Sequence, residues 1–327
     1  MHTENLLGWA TDILVQLDDQ TPGVISRVLT AAPARRNSIF AALATREGTK
    51  LEAAETKELA QVVRHGRPVD ILRYAYGTVP TGFVGALSSI AEPLDRAEDY
   101  VRLHGLLTTG QPNLVEALRG GPICRDKLNI LSVLDPRWTH INLLSRIESS
   151  HDARTFNRAV AFVQSVCSQA TDGAVAEAIG RMRPTSTLPR LLQRWLCRAD
   201  QLPESPVKVG DNELRPLITL RDYLDVARRY RNCLASKLDE VASGRMAIAE
   251  FRGELLVEFR PLSIGKGWVV WAMHGQRNKP VEHRVAEMAA QRCEDHGIPR
   301  LAEEVGGDNW RSYRRLLNQP IWGMNAA

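Results

Sequence analysis

The sequence predicts a mostly α protein in two parts. An all-α helical array comes first, then an α+β module built on a three-stranded antiparallel meander. Three observations carry this. Up to about residue 200, apolar residues recur at helical spacing in one short segment after another. From Leu202 the stretch LPESPVKVGDNELRP interrupts the pattern with Pro203, Pro206 and Pro216 and the pair Gly210-Asp211. Between Tyr230 and Pro280 the apolar period switches from helical to alternating. The expected organisation is therefore a helical domain over 1–200, a linker over 201–218 and an α+β module over 219–327.

The helices are justified in order. Leu6, Ala10, Ile13, Leu14 and Leu17 share one face. Thr21-Pro22 offers a cap residue followed by a proline whose missing N–H costs nothing in a first turn, with Val24, Val28 and Leu29 behind it. Ala53, Leu59, Val62 and Val63 mark a helix closed by Gly66 and Pro68. Ile90, Leu94, Ala97 and Val101 mark another. Gln111-Pro112 and Asp135-Pro136 are two further starts. Asp135 is the stronger, since a carboxylate accepts from orphan N–H groups at the positive helix end. Trp138, Ile141, Leu144 and Ile147 are expected on one stripe behind it. Phe156, Val160, Val163 and Cys167 make the cleanest stripe, and Leu188, Leu191, Leu192, Trp195 and Leu196 make another. Short connections favour antiparallel neighbours and a bundle-like array. No self-similar period of 20–50 residues stands out, and a degenerate solenoid stays open as the alternative.

In the linker, Val207 and Val209 suit the start of a short edge strand. A helix over TLRDYLDVARRYRNCLASKLDEVASG follows, with Thr219 as cap and Gly244 as stop. RMAIAEF, ELLVEF and GWVVWAM alternate as strands, and the last, apolar on both faces, is expected to be the most buried. Pro280 is expected to open a helix through Val285, Met288, Ala289 and Cys293. A final helix is expected from about Asp308 through Trp310, Tyr313 and Leu317.

Composition bounds the function. The 327 residues are 44% hydrophobic with a formal net charge of +4, enough for a sizeable core and too little charge to demand a polyanion. Five widely spaced cysteines with no CxxC pair are the usage of a reducing compartment. The N-terminus lacks a cationic n-region, and no eighteen-residue apolar run occurs. A cytoplasmic protein with no membrane partner is expected.

Asn232-Cys233-Leu234, Gly244 before Met246-Ala247-Ile248, the strand Leu255-Leu256-Val257-Glu258, and Gly275-Gln276-Arg277-Asn278 together carry a likeness. The stretch resembles the C-terminal module of PcfJ-like proteins of conjugative plasmids and other mobile elements. That family usually has His just before the Cys, where this chain has Asn232, and an aromatic a few residues after it, where this chain has Lys237 or Leu238. The resemblance covers about a quarter of the chain. It implies a setting in mobile-element biology rather than a reaction.

Candidate chemistry centres on the module. Cys233, near Arg228, Arg229 and Arg231, has the cationic surroundings that activate a thiol, with His274 as the candidate base. The bland alternative is a small buried residue packed on the meander. Cys233, His274, His283, Cys293 and His296 lack the paired spacing of a zinc site, and neither metal nor cofactor is expected. Glu250, Glu254 and Glu258 offer carboxylates, but Glu254 and Glu258, with Arg252 and Arg260, read as solvent-facing strand positions. Phosphate-loop, dinucleotide, nucleophile-elbow and HExxH motifs are absent. The basic clusters are the main binding signal: Arg228, Arg229 and Arg231; Arg277 and Lys279 with Asn278; and Arg311, Arg314 and Arg315 on one helical face.

The expected function is a non-catalytic interaction or nucleic-acid-binding accessory protein, with protein partners on the N-terminal helices. The alternatives are a thiol-dependent or nucleic-acid-processing enzyme using Cys233 and His274, and a self-assembling helical scaffold.

Overall fold

The computed structural model describes residues 7–49, 51–262 and 267–300. The described residues form two compact units. One runs to Gln164 and adds Gln169–Gln193; the other holds Ser165–Ser168 and the residues from Arg194 on.

The first unit is helical and is organised around Pro33–Ala44, in which every residue from Asn37 to Ala44 is buried. Pro33 sits in its first turn, where no N–H is needed. Its faces meet Val24–Leu29, Pro68–Tyr76, Phe83–Ser88 and Ala97–Thr108 within one continuous apolar core. Asn37 at its centre is satisfied completely. Its amide donates to the carbonyls of Leu87 and Ile90 at 3.2 and 2.8 Å, and its Oδ1 accepts from the Tyr100 hydroxyl at 2.8 Å. Tyr100 in turn accepts from the Leu94 N–H at 3.0 Å. A buried polar chain with every member paired fixes one register of helices, where an apolar core of the same volume would tolerate several.

Local breaks differ from the sequence expectation in three places. The helix expected from Ile90 through Val101 begins only at Ala97, and Val101 is exposed. The helix after Thr21-Pro22 begins only at Val24, because Gly23 takes a left-handed conformation first (φ 93°). Asp135-Pro136 opens a single 3-10 turn, Pro136–Trp138, then a separate one-turn helix, Ile141–Leu144. The stripe expected over Trp138–Ile147 is thus split. Trp138, Leu143 and Ile147 are buried, while Ile141 is exposed.

In the second unit a four-stranded antiparallel sheet has the order β1 (Leu214–Pro216), β2 (Ala247–Phe251), β3 (Leu255–Pro261), β4 (Trp268–His274). The three expected strands are present. A fourth comes from the proline-rich stretch, where Leu214 pairs with Phe251 and Pro216 with Ala249. Val207 is buried and Val209 exposed, and neither lies in the strand. One sheet face carries Leu214, Ala247, Ala249, Phe251, Leu255, Val257, Phe259 and Val270, and packs on Ala289 and Cys293 of the helix His283–Asp295. Cys293 is fully buried, and burial pushes its thiol up to about 12. At the end of that helix, His296 and Arg292 hold Asp211 at 2.6 and 2.8 Å.

The other face is covered too. Tyr223 of the helix Leu220–Tyr230 accepts the Ile248 N–H at 3.2 Å. Lys237 and Glu240, around the helix Leu238–Ala242, reach Glu258 and Arg260 on β3. Double coverage reverses two expectations. Glu258 is buried, not solvent-facing, while Glu254 is exposed in the turn. The most buried strand is β2, with all five residues buried, whereas β4 lies at the sheet edge with Trp271 exposed.

No helix among the described residues is long and apolar enough to cross a membrane. All five cysteines are unpaired.

Candidate nucleic-acid interface

The site is built where the helix Leu220–Tyr230 ends. Thr219 and Asp222 form a reciprocal cap at its start. At its far end Arg231 adopts a left-handed backbone (φ 52°, ψ 48°), a place where glycine is usual. An arginine there costs roughly 1–2 kcal/mol. The turn is then fixed by Asn232, whose Oδ1 accepts from the Leu234 N–H at 3.1 Å and caps the 3-10 turn Cys233–Ser236. The single helix expected from 219 to 243 is therefore three pieces. Cys233 emerges exposed on the turn, not packed under the meander.

A second strained turn abuts it. After β4, the 3-10 turn Gln276–Asn278 holds two successive left-handed residues, Arg277 (φ 59°) and Asn278 (φ 55°). The Gly275 N–H donates to the Lys279 carbonyl at 3.0 Å. A Cβ on Gly275 would stand 3.1 Å from that same oxygen, so a side chain there would force the closure to widen by a few tenths of an ångström. Among the described residues four non-glycines have positive φ, and three of them (Arg231, Arg277, Asn278) lie in these two turns. Strained backbone of this kind costs of order 1–3 kcal/mol per residue and clusters in proteins at ligand clamps and active sites.

Between the turns lies an open concavity of about 520 Å³, lined by Arg229, Tyr230, Arg231, Gln276, Arg277 and Lys279. Arg229 is held from below by a bidentate pair to Glu250 on β2, at 2.7 and 2.9 Å, and Arg215 on β1 joins the same carboxylate at 3.0 Å. Burial opposes ionisation of Glu250, but the two guanidiniums outweigh it and its pKa lies below the ordinary glutamate value. The buried Tyr230 hydroxyl lies beside Glu250 without reaching hydrogen-bond geometry. Burial and that carboxylate push its pKa well above the usual tyrosine range. Among the described residues, Arg231, Arg277 and Lys279 have no carboxylate partner.

The sequence candidates fall into three groups. Arg229, Arg231, Arg277 and Lys279 converge on the concavity, and Asn278 stands at its edge with Nδ2 3.9 Å from Cys233 Sγ. Arg228 is exposed and pairs along its own helix with Asp225. Arg311, Arg314 and Arg315 lie outside the described residues.

The thiol pairing does not assemble. His274 faces Glu258 at 3.3 Å, and no hydrogen bond joins it to Cys233. Glu258 also takes Arg260 at 2.7 Å and Lys237 at 3.7 Å. Burial opposes its charge, yet these three partners lower its pKa to about 2. Of the other residues weighed as zinc ligands, Cys293 lies in the core, His296 serves Asp211, and His283 is exposed at the start of its helix. No cluster among the described residues has the make-up of a metal site.

Sequence reasoning named Glu250 only as a candidate carboxylate, not as the partner of Arg229, and missed Tyr230, Arg215 and Gln276 at the site. A signal existed: AIAEF and LLVEF each carry one glutamate before a phenylalanine in an otherwise apolar strand. A lone acid in a strand buried on both faces needs a cation from a neighbouring element.

A second cavity, about 550 Å³, lies in the helical unit beside Asn142, Arg146, Ser186 and Pro189. Its arginine is consumed structurally, donating to the carbonyls of Asn142, Arg183, Pro184 and Ser186. Models of protein families, curated proteins and solved structures give no match to this chain. The basic concavity is the site whose chemistry is left open to a ligand.

Proposed function

We propose that this chain is a non-catalytic nucleic-acid-binding accessory protein and that the concavity at Arg231 is its phosphate-contacting surface. One observation carries the reading. Arg231, Arg277 and Lys279 surround one open concavity, and no described carboxylate neutralises them. Cations held together against their own repulsion, on turns that cost backbone strain, suit a dense line of negative charge. Arg229, whose two terminal nitrogens are engaged by Glu250, adds its remaining N–H groups in a fixed direction. The resemblance of residues 230–280 to PcfJ-like modules agrees with a mobile-element setting. A thiol-dependent reaction lacks support, because His274 is engaged by Glu258.

The test is fluorescence anisotropy with a labelled oligonucleotide at about 50 mM salt. Arg231→Ala, Arg277→Ala and Lys279→Ala combined are expected to weaken binding at least tenfold while the far-UV dichroism is unchanged. Equal affinity of variant and parent contradicts the proposal.

A further inference from the structure

Trp271 is the largest apolar side chain left exposed in the sheet, at 47%. Its exposure is built into the strand pairing. Phe259 opposes Val270 and Glu258 opposes Ala272, so Trp271 is the extra residue of a bulge between them. A bulge re-aims the side chain it displaces, and such kinks gather at sheet edges beside functional sites. Here β4 is an edge strand. On one side Val270 is buried, with its N–H bonded to the Pro299 carbonyl at 2.9 Å. On the other, the strand runs through His274 into the turn that carries Arg277 and Lys279. Arg277 lies six positions beyond Trp271, which at about 3.3 Å per residue is a span of at most roughly 20 Å.

An indole at that distance along the same strand has one use that the charges do not supply. Phosphate contacts position a nucleic acid without touching its bases. An exposed indole face offers stacking to a base only when that base is unpaired and splayed from its helix. Resting on the phosphate-binding reading above, we infer that the site takes single-stranded nucleic acid, with one unpaired base stacked on Trp271 while neighbouring phosphates lie in the concavity of Arg231, Arg277 and Lys279. The shared chemistry of bases and phosphates admits DNA and RNA, and the probes separate them.

Three labelled probes of equal length are compared by anisotropy: oligothymidylate DNA, oligouridylate RNA and a DNA duplex. The parent protein is expected to prefer one or both single strands over the duplex. Trp271→Ala is expected to weaken single-strand binding about tenfold and leave the duplex unchanged. Trp271→Phe, which keeps a ring, is expected to retain most of the affinity. Trp271→Leu keeps apolar bulk without a π face and is expected to bind like the alanine variant, so a folding defect in the latter does not decide the result. Loss with alanine and leucine but not phenylalanine supports the inference. Unchanged single-strand affinity in all three variants, or equal losses on single strands and duplex, overturns it and leaves the phosphate site standing. Failure of the parent to bind any probe overturns both.

Discussion

Two buried glutamates on one sheet face, Glu250 on β2 and Glu258 on β3, make the instructive comparison. In the register Ile248 opposes Glu258 and Glu250 opposes Leu256, so the two acids point to the same side of adjacent strands. Around Glu258 the charges close on themselves. Lys237 and Arg260 meet two carboxylates, Glu258 and Glu240, and His274 fills the remaining direction. Around Glu250 they do not. One carboxylate holds Arg229 and Arg215, and Arg231, Arg277 and Lys279 stand beside Arg229 with no described acid. A balanced cluster is a structural fastening, because every desolvated charge has its partner. An unbalanced one keeps attraction in reserve for an anion from outside.

The largest expected effect falls on the balanced end. Glu258→Gln leaves the half-buried Lys237 without a carboxylate and Arg260 with Glu240 alone. It is expected to destabilise the unit by about 3 kcal/mol in denaturant unfolding, with nucleic-acid affinity at low temperature unchanged. The pH dependence has a definite sign. The folded pKa of Glu258 is about 2 against an ordinary 4.5, so its contribution is complete above pH 4.5 and is lost as pH falls toward 2. In the glutamine variant that acid-side loss of stability is expected to shrink. An identical acid limb in both proteins would refute the role given to Glu258.

The unbalanced end should respond differently. Glu250→Gln is expected to cost only about 1–2 kcal/mol, because Arg229 and Arg215 reach water and can be resolvated. It also removes the carboxylate that Arg229 and Arg215 share beneath the concavity, so affinity for an oligonucleotide is expected to rise several-fold at low salt. Weaker binding would mean that Arg229 matters more through its direction than through its charge. The smallest effect is expected at Cys233. Its serine variant should bind and unfold like the parent, and loss of a measurable activity would restore the thiol reading.

How much of this was legible follows from where the signals lie. The strands β2 to β4 were readable because Leu255, Val257 and Phe259 alternate and end in one core. β1 was not, because three residues ending in proline have no strand signature of their own and exist as a strand only through pairing with β2. The central helix Pro33–Ala44 was missed for the opposite reason. A helix buried on all sides carries no stripe, and periodicity is blind to it. At the site, the basic residues could be named from sequence but their meeting could not. Arg231 joins Arg277 because two turns adopt left-handed conformations at arginine and asparagine, where local propensity favours glycine. The burial of Glu258 depended on helices packing both sheet faces, a tertiary fact that alternation along β3 does not contain.

The most direct test of the unbalanced cluster is its salt slope. Oligonucleotide affinity is measured from about 50 to 200 mM salt for the parent protein and for the variant lacking Arg231, Arg277 and Lys279 side chains. With three cations meeting a single strand, the plot of log affinity against log salt is expected to be about two units less steep in the variant than in the parent. Superimposable slopes would contradict the account, because the three cations would then displace no counterions and the concavity would not be where the phosphates lie.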